Sequence, residues 1–357
     1  MSTYRLDPRS FNWRWREFLL LLLPLALTGV GFYVLQILQG QIATVRYWPA
    51  IVLAGGALLM HLIFSWLAPE ADQTLLPVVT MMNGIGLVMI ERLASNFTVR
   101  QTTSMVIGMI LCTAIVLWNE GPRLAERYRY TLILPGILLL TIGVILSFAG
   151  EGPGRSVLNI TDRFSIQPSE PLKLLLVIFL AGFLDFHREK FVTVRLRRPF
   201  QDRRWLWVFV PLLGMWGISM LLLVLQRDLG AALLFFTIFL VLAYLATQRL
   251  DYVLLSLGLF AVGAFVAYHL FSYVAVRFAI WLDPWSDPQD TGLQIIQALL
   301  AVAHGGLIGQ GLGQGYPDFV PVVHSDFIIA AIGEEFGLAG ILGVIALYLI
   351  FLLRGFL

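Results

Sequence analysis

Cysteine is almost absent from the sequence. Cys112 is the only one among 357 residues, so the chain holds neither an internal disulfide nor a metal site built on several cysteines. Charged residues are scarce as well, at 13% of the chain, about half the share of a soluble domain. The formal net charge is only +2, and no basic run is interleaved with aromatic residues. These shortages exclude disulfide-stapled domains and argue against a nucleic-acid-binding protein.

Hydrophobic residues are correspondingly abundant. They make up 59% of the chain, and the mean hydropathy is +0.83. One soluble core cannot bury that share, so the composition indicates an integral membrane protein. Apolar segments close to the ~20 residues of a helical span recur along the chain. The ten candidate spans are residues 17–38, 48–67, 74–92, 102–118, 130–149, 171–186, 206–225, 229–247, 251–273 and 326–353.

These segments predict helices, because lipid offers no hydrogen-bond partner to an open backbone. We therefore expect an all-α fold, a polytopic transmembrane helix bundle of about ten spans, with residues 1–357 forming a single integral-membrane domain. The first apolar run is too long for a cleavable signal peptide and is expected to remain as a membrane anchor. The segment 293–313 is glycine-rich and short of a full span, which favours a re-entrant or interfacial element.

Lysine and arginine predict the orientation of the bundle. With the N-terminus in the cytoplasm, the inside loops carry 16 of the 24 basic residues and the outside loops carry 8. Both the N-terminus and the C-terminus are therefore expected to be cytoplasmic. The polar loops 150–173, 226–228 and 277–324 then lie on the opposite face. We expect them to line one outward-facing polar cavity, where ionisable groups beside membrane spans are usually found.

Three carboxylates interrupt the apolar pattern between residues 277 and 294, namely Asp283, Asp287 and Asp290. Asp283 and Asp287 each precede a proline, which is typical of a turn. Asp290 suits a turn or a helix N-cap. A carboxylate beside a membrane span also marks a site of chemistry. The residues alone therefore leave structural and catalytic roles open for all three.

Other ionisable residues lie at or inside the predicted spans. Glu170 and Lys173 stand three residues apart, a spacing at which helical side chains pair. For Arg227 and Asp228 three roles stay open: a cap on the helix that follows, a local pair with each other, and contact with substrate. Glu334 and Glu335 fall about two turns into the last span. Because a buried charge needs a partner, we expect one of them to pair with a cation inside the bundle.

Four stretches of the sequence resemble the SEDS proteins, the shape, elongation, division and sporulation family of RodA and FtsW. In chain order, the family patterns that they resemble are GAR…FQPSELAK, QPDLGTA, DPWxDPxGxGYQ, and GGLxGxGLG with HTDFIFAxIGEELGL. The matching residues here are Gly154–Arg155 with 164–173 (FSIQPSEPLK), 226–231 (QRDLGA), 283–294 (DPWSDPQDTGLQ), and 305–313 (GGLIGQGLG) with 324–338 (HSDFIIAAIGEEFGL). Each motif alone is weak, but the ordered set is specific.

The resemblance also implies how the chain is organised. Residues 101–357 look like the SEDS core, and residues 1–100 look like the extra N-terminal helices of a longer, RodA-like branch. Members of the family usually continue into further apolar helices with a PFVSYGGSS-like motif, which residues up to Leu357 do not include. Within the motifs, Arg227 stands where proline is usual, Leu293 stands in place of tyrosine, and Asp290 adds a carboxylate where glycine often occurs.

The function implied by the resemblance is peptidoglycan glycosyltransfer, in which lipid II is polymerised into glycan strands on the extracytoplasmic face. The reaction inverts the anomeric carbon and releases undecaprenyl diphosphate. It needs a carboxylate to take the hydroxyl proton and cations to neutralise the leaving group. Asp287 occupies the second Asp-Pro of the matched motif, so the resemblance implies that Asp287 is the general base.

The resemblance also supplies candidates for substrate binding. Arg155 and Lys173 are the first candidates for the diphosphate, since arginine and lysine both bind phosphate. Arg277 is a third cation near the aspartates. His324 and Asp326 either support the site structurally or face the substrate. The full set is Arg155, Glu170, Lys173, Arg277, Asp283, Asp290, Gln294, His324 and Asp326.

No tightly bound cofactor is expected from the sequence. A Mg²⁺ or Mn²⁺ ion arriving with the substrate diphosphate and bridged by Asp287 is compatible with the chemistry. The partners implied are lipid II, undecaprenyl-linked glycan and a class B penicillin-binding transpeptidase, and the location implied is the bacterial inner membrane. The alternative function is transport, as a flippase of lipid-linked precursors. We see no repeat symmetry of the kind that many transporters carry.

Overall fold

The computed structural model describes residues 13–38, 47–118, 169–187, 204–225 and 228–356, the segments 158–161 and 164–166, and scattered positions from 128 to 145. Helices dominate these ranges, as the apolar segments predict. Their bounds are α1 Trp15–Leu38, α2 Trp48–Leu67, α3 Leu75–Leu93, α4 Thr98–Leu117, α5 Ser169–Phe186, α6 Arg204–Leu225, α7 Leu229–Thr247, α8 Leu250–Leu270, α9 Ser272–Leu282, α10 Leu293–Gly305 and α11 Ile328–Phe356.

Seven helices in the described ranges are long and apolar enough to cross a membrane, namely α1, α2, α3, α4 with the turn before it, α7, α8 and α11. Each coincides with a predicted span. Helices α5 and α6 match two further predictions, and the described positions between 131 and 145 are helical. The predicted all-α, multi-pass membrane fold is thus confirmed. Most of the predicted span 130–149 lies outside the described residues.

A short hairpin is the one addition to the helical pattern in the described residues. Strand β1, Leu158–Thr161, pairs antiparallel with β2, Phe164–Ile166, so that Leu158 lies opposite Ile166. The sequence predicts a polar loop here. The hairpin ends three residues before α5 begins and leaves the all-α class unchanged.

The chain packs as two compact units, one formed by residues 1–119 with 276–357 and the other by residues 120–275. In the second unit, α5, α6 and α7 share a core centred on Phe179, Phe183 and Phe235. Tyr273 Oη donates to the carbonyl of Val224 at 2.6 Å, which ties α9 to the end of α6. The predicted division into residues 1–100 and 101–357 stays a prediction.

The two ends of the first unit are defined by arginines. At one end, which we call the Arg14 end, Arg14 Nη2 donates to the carbonyls of Ala71 (2.7 Å) and Asp72 (2.9 Å) in the turn between α2 and α3. Arg354, near the end of α11, lies 3.5 Å from Asp72. The start of α1 and the end of α11 therefore lie at the same end, as expected if both termini share one side. Their assignment to the cytoplasm stays a prediction.

The opposite end, which we call the Arg92 end, is built by α3, α10 and α11. Their shared core includes Met89, Ala301 and Ala331. Helix α10 has 13 residues, about 20 Å at 1.5 Å per residue, and is too short to cross ~30 Å of hydrocarbon. This length agrees with the predicted re-entrant or interfacial element.

A kink in α11 lets the chain close tightly around α10. Gly337 has φ +67°, a backbone conformation open to glycine but strained for other residues. A Cβ atom at Gly337 would overlap the amide nitrogen of Gly309 and come within 2.5 Å of the Leu307 carbonyl carbon. The glycine-rich segment 305–313 is therefore used for close backbone packing.

Candidate active site

The predicted acidic segment forms a compact loop at the Arg92 end, residues 283–292, which we call the aspartate loop. Asp283 caps a single 3₁₀ turn, Pro284–Ser286, and its Oδ1 accepts from Trp285 N at 3.1 Å. The hydroxyl of Ser286 donates to the Asp283 carbonyl at 2.7 Å. Asp283 thus has the turn-forming contacts that its Asp-Pro sequence predicts. Its contact with substrate stays a prediction.

Asp287 follows this turn and is partly exposed. Its Oδ2 accepts two hydrogen bonds from Thr291, one from Oγ1 at 2.7 Å and one from the backbone N at 3.1 Å. These bonds favour the charged form, the side-chain bond most strongly, and hold the pKa of Asp287 below its usual value. Asp287 is therefore an ionised, accessible carboxylate at neutral pH, able to accept a proton.

Gly292 closes the aspartate loop. Its N–H donates to the Asp287 carbonyl at 2.9 Å. A Cβ atom at this position would overlap the carbonyl oxygen of Pro284 and lie 2.7 Å from that of Asp287. Glycine is therefore required by close backbone approach. The same residue is the N-cap of α10, which corrects one alternative for Asp290, since that aspartate lies two residues earlier in the turn.

Helix α10 connects the aspartate loop to the return loop, residues 306–327, which leads into α11. At the start of α10, Gln294 Nε2 donates to the Pro321 carbonyl at 2.9 Å. His324 stacks on Phe97, with ring centroids 5.1 Å apart. Asp326 Oδ1 accepts from Ser325 Oγ at 3.0 Å. Gln294, His324 and Asp326 thus all lie at the Arg92 end and make supporting contacts within it.

The predicted cations are distributed differently. Arg277 lies on α9, is exposed, and is six residues from Asp283 in sequence. In the second unit, Lys173 and Glu170 form an ion pair on the first turns of α5, as their spacing predicts. Asp228 in the same unit caps α7, since its Oδ1 accepts from Ala231 N at 3.0 Å. Arg155 lies outside the described residues.

A buried acidic cluster next to α10 was only partly predicted. Glu335, 1% exposed, pairs with Arg92, whose Nε lies 3.1 Å from Oε1. The expected pairing of one of these glutamates with a cation is thus confirmed. Arg92 also donates to the Gly315 carbonyl at 3.1 Å and lies 3.6 Å from Asp318. From the sequence, Arg92 is predicted only as a loop cation, and Thr291 only as part of a turn.

Apolar helices of spanning length, a short helix folded back at one end and an ionised aspartate beside it define a polytopic membrane protein with a carboxylate site. Residues 72–357 match the FtsW, RodA and SpoVE family of cell cycle proteins. The chain belongs to this family, so the resemblance carried by its loop motifs is confirmed.

Individual relatives agree with this assignment. The chain is 40% identical over 316 residues to a Mycobacterium tuberculosis protein named peptidoglycan glycosyltransferase RodA, and 38% identical over 312 residues to its namesake in Mycobacterium leprae. A Geobacter metallireducens protein named probable peptidoglycan glycosyltransferase FtsW is 33% identical over 262 residues, which cover 72% of this chain and 66% of that protein. The mycobacterial matches cover 83% of this chain and 65% of each relative's length.

Proposed function

We propose that this chain is the membrane-embedded catalytic part of a peptidoglycan glycosyltransferase that polymerises lipid II. The observation that carries the proposal is the accessible Asp287 carboxylate at the Arg92 end, which Thr291 holds in place through two hydrogen bonds. Membership of a family whose relatives bear the name peptidoglycan glycosyltransferase supplies the reaction.

In the proposed reaction, the sugar 4-hydroxyl of one lipid II attacks the anomeric carbon of an undecaprenyl-linked glycan or lipid II donor. The new C–O bond forms as the bond to the diphosphate breaks, and the proton of the hydroxyl passes to Asp287. Displacement in line inverts the anomeric carbon and gives a β-1,4 link. General-base assistance of this kind contributes about 10²–10⁴-fold to rate.

The leaving diphosphate needs positive charge nearby. We propose Arg155, Lys173 and Arg277 for this role, with Glu170 orienting Lys173 through their ion pair. The described residues contain no cluster of three or more His, Cys, Asp or Glu side chains able to hold a metal ion. We therefore propose that any Mg²⁺ or Mn²⁺ ion enters as part of the substrate diphosphate and is bridged to it by Asp287. Polymerisation that survives excess EDTA would contradict a role for such an ion.

We further propose that the Arg92 end faces the extracytoplasmic side of the bacterial inner membrane, as the basic-residue count favours. A class B penicillin-binding transpeptidase is the proposed partner, because new glycan strands have to be crosslinked. Cysteine substitution at exposed Gln289, in a chain lacking Cys112, tests the orientation. Labelling by an impermeant maleimide from outside the cell is the expected result, and labelling only after lysis would contradict it.

The decisive experiment is polymerisation of purified lipid II by the chain together with its transpeptidase. Asp287→Asn keeps the size of the side chain and the acceptor oxygen but cannot take up the proton. We expect it to abolish glycan ladders while folding and partner binding persist. The matched control is Asp251→Asn. Asp251 lies in the first turn of α8, and its exposed carboxylate pairs with Arg249.

Each outcome of this experiment has a definite meaning. Ladders from wild type and Asp251→Asn but not Asp287→Asn support the assignment of the base. Equal ladders from all three remove Asp287 and move the assignment to Asp283 or Asp290. Lipid II translocation across vesicle membranes without any polymer would favour the flippase alternative.

A further inference from the structure

Glu334 connects three parts of the Arg92 end through a single side chain. It is 3% exposed, and its Oε1 accepts from Tyr316 N at 2.9 Å and lies 3.1 Å from His304 Nδ1. Its backbone carbonyl accepts from Gln310 N at 2.9 Å. One residue of α11 therefore contacts the last turn of α10 and two points of the return loop.

The backbone around Glu334 fixes the same contacts. A Cβ atom at Gly305, the last residue of α10, would overlap the carbonyl oxygen of Gly333 and lie 2.8 Å from Glu334 Cα. On the other side, Gly311 N donates to the Glu335 carbonyl at 2.9 Å. The end of α10 is thus seated directly on the backbone of α11, with the Glu334 side chain bonded across the junction.

The start of α10 depends on the same return loop. Gln294 Nε2 donates to the carbonyl of Pro321. Pro321 lies five residues after Tyr316, and the N–H of Tyr316 donates to Glu334. Asp287 lies six residues before α10 begins, in a loop closed by Gly292 and Thr291. Helix α10 and several hydrogen-bonded turns thus lie between Glu334 and Asp287, and we expect a displacement at Glu334 to reach the aspartate loop through them.

Stability alone does not account for a carboxylate at this position. Burying a charge is costly, and a neutral side chain with an acceptor oxygen, such as glutamine, would hold the Tyr316 N–H without that cost. Glu335 beside it is already paired with Arg92. What Glu334 provides is a directional acceptor that selects one arrangement of α10 and the return loop.

We propose that Glu334 is a positioning residue for Asp287, acting through its bonds to Tyr316 and His304 to fix α10 and thereby the aspartate loop. The catalytic consequence of this placement rests on the proposed function, whereas the placement itself does not. The role needs an acceptor oxygen rather than a charge, so Gln at this position should largely replace Glu, and Ala should not.

The first experiment measures geometry without activity. Nitroxide labels are attached to Gln289→Cys in the aspartate loop and Val99→Cys on α4, both exposed positions of the first unit, in full-length chain lacking Cys112. We expect Glu334→Ala to broaden the distance distribution between the labels. Glu334→Gln and the control Asp251→Asn should leave it as in the wild type. An unchanged distribution in Glu334→Ala would overturn the proposal.

The second experiment measures lipid II polymerisation by the same variants. Misplacing a catalytic group by about 1 Å costs about 10²-fold in rate, so we expect kcat of Glu334→Ala to fall by about that factor with little change in KM. Glu334→Gln should recover most of kcat. A variant with a displaced loop but wild-type kcat would refute the catalytic part of the proposal.

A third variant covers the case in which Glu334→Ala does not fold. His304→Ala removes one of the two side-chain contacts at a half-exposed position, where the fold is at less risk. We expect partial broadening of the label distances, and no broadening would count against the proposal. If the wild type makes no polymer, the proposed function fails while the label distances still decide whether Glu334 positions the loop.

Discussion

Thr291 donates two hydrogen bonds to one oxygen of Asp287, from its hydroxyl at 2.7 Å and from its backbone N–H at 3.1 Å. The turn between them therefore both orients the carboxylate and lowers its pKa. Because the two residues are four apart in an exposed loop, the side-chain bond can be removed without disturbing the helix packing. This makes the pair the most direct place to test the proposed base.

Thr291→Val should change the pH dependence of polymerisation. Loss of the hydroxyl bond removes the largest of the interactions that lower the pKa of Asp287, so the pKa rises towards its ordinary value. Activity that requires the ionised carboxylate is then lost at a higher pH than in the wild type. The fall of kcat/KM on the acid side should occur at a higher pH in Thr291→Val than in the wild type, and at the wild-type pH in Thr291→Ser. If the fall occurs at the wild-type pH in Thr291→Val as well, Asp287 is not the group that titrates.

Gly292→Ala should disrupt the aspartate loop. The added methyl would overlap the carbonyl oxygen of Pro284, so the loop must open, at a cost of about 1–3 kcal/mol. We expect strongly reduced polymerisation in a protein that remains folded by circular dichroism. Gly86→Ala on α3 is the matched control, since a Cβ atom there meets nothing within 4 Å. Equal activity of both variants would argue that the loop geometry has no part in the reaction.

Gly337→Ala should destabilise the junction between α11 and the return loop. Its positive φ is strained for alanine by about 1–3 kcal/mol, and the methyl would meet the backbone of Gly309. Gly343→Ala, six residues further along α11, faces open space and should be neutral or slightly stabilising. Thermal unfolding in detergent compares the two variants. A lower Tm for Gly343→Ala than for Gly337→Ala would contradict this packing.

Glu17→Ala should destabilise the Arg14 end of the first unit. Glu17 lies 2.9 Å from Arg14 and 2.7 Å from His61, and all three side chains are buried. Removing the only carboxylate of this buried set leaves the arginine charge unpaired, which typically costs about 3–5 kcal/mol. The comparison is Asp251→Ala, in an exposed pair with Arg249 worth about 0–1 kcal/mol. Free energies of unfolding that are equal for the two variants would show that the buried set contributes nothing.

Most of the helical architecture could be predicted from the sequence, because the length of an apolar run in lipid determines a helix almost alone. The predicted segments 17–38 and 48–67 coincide with α1 and α2 to within two residues. The prediction for residues 251–273 was less accurate. Phe271 adopts an extended conformation there, so α8 ends at Leu270 and α9 begins at Ser272. A single extended residue within an apolar run leaves no pattern in composition.

The sequence predicts some residues of the candidate site and misses others, because only some of them leave a local pattern. Asp287 stood out because a carboxylate in an apolar chain is rare, and its motif narrowed the choice. Thr291 did not, since threonine in a polar loop carries no such signal. The pairing of Arg92 with Glu335 joins residues 243 positions apart, and local spacing contains no information on contacts at that distance. The sequence thus identifies the charged residues of the site, whereas the structure is needed to identify the residues that they contact.

The buried set at Arg14 has a consequence for how far the chain can be shortened. Arg14 bonds to Ala71 and Asp72, where the match to the family begins, and Gly84 on α3 faces Thr28 on α1 so closely that a Cβ atom would overlap the threonine hydroxyl. Helices α1 and α2 are therefore an integral part of the packing of the first unit and not a separable segment in front of residues 72–357. A version trimmed to residues 72–357 would lose the contact of Gly84 with Thr28 and that of Asp72 with Arg14, so we expect it to need a redesigned α3.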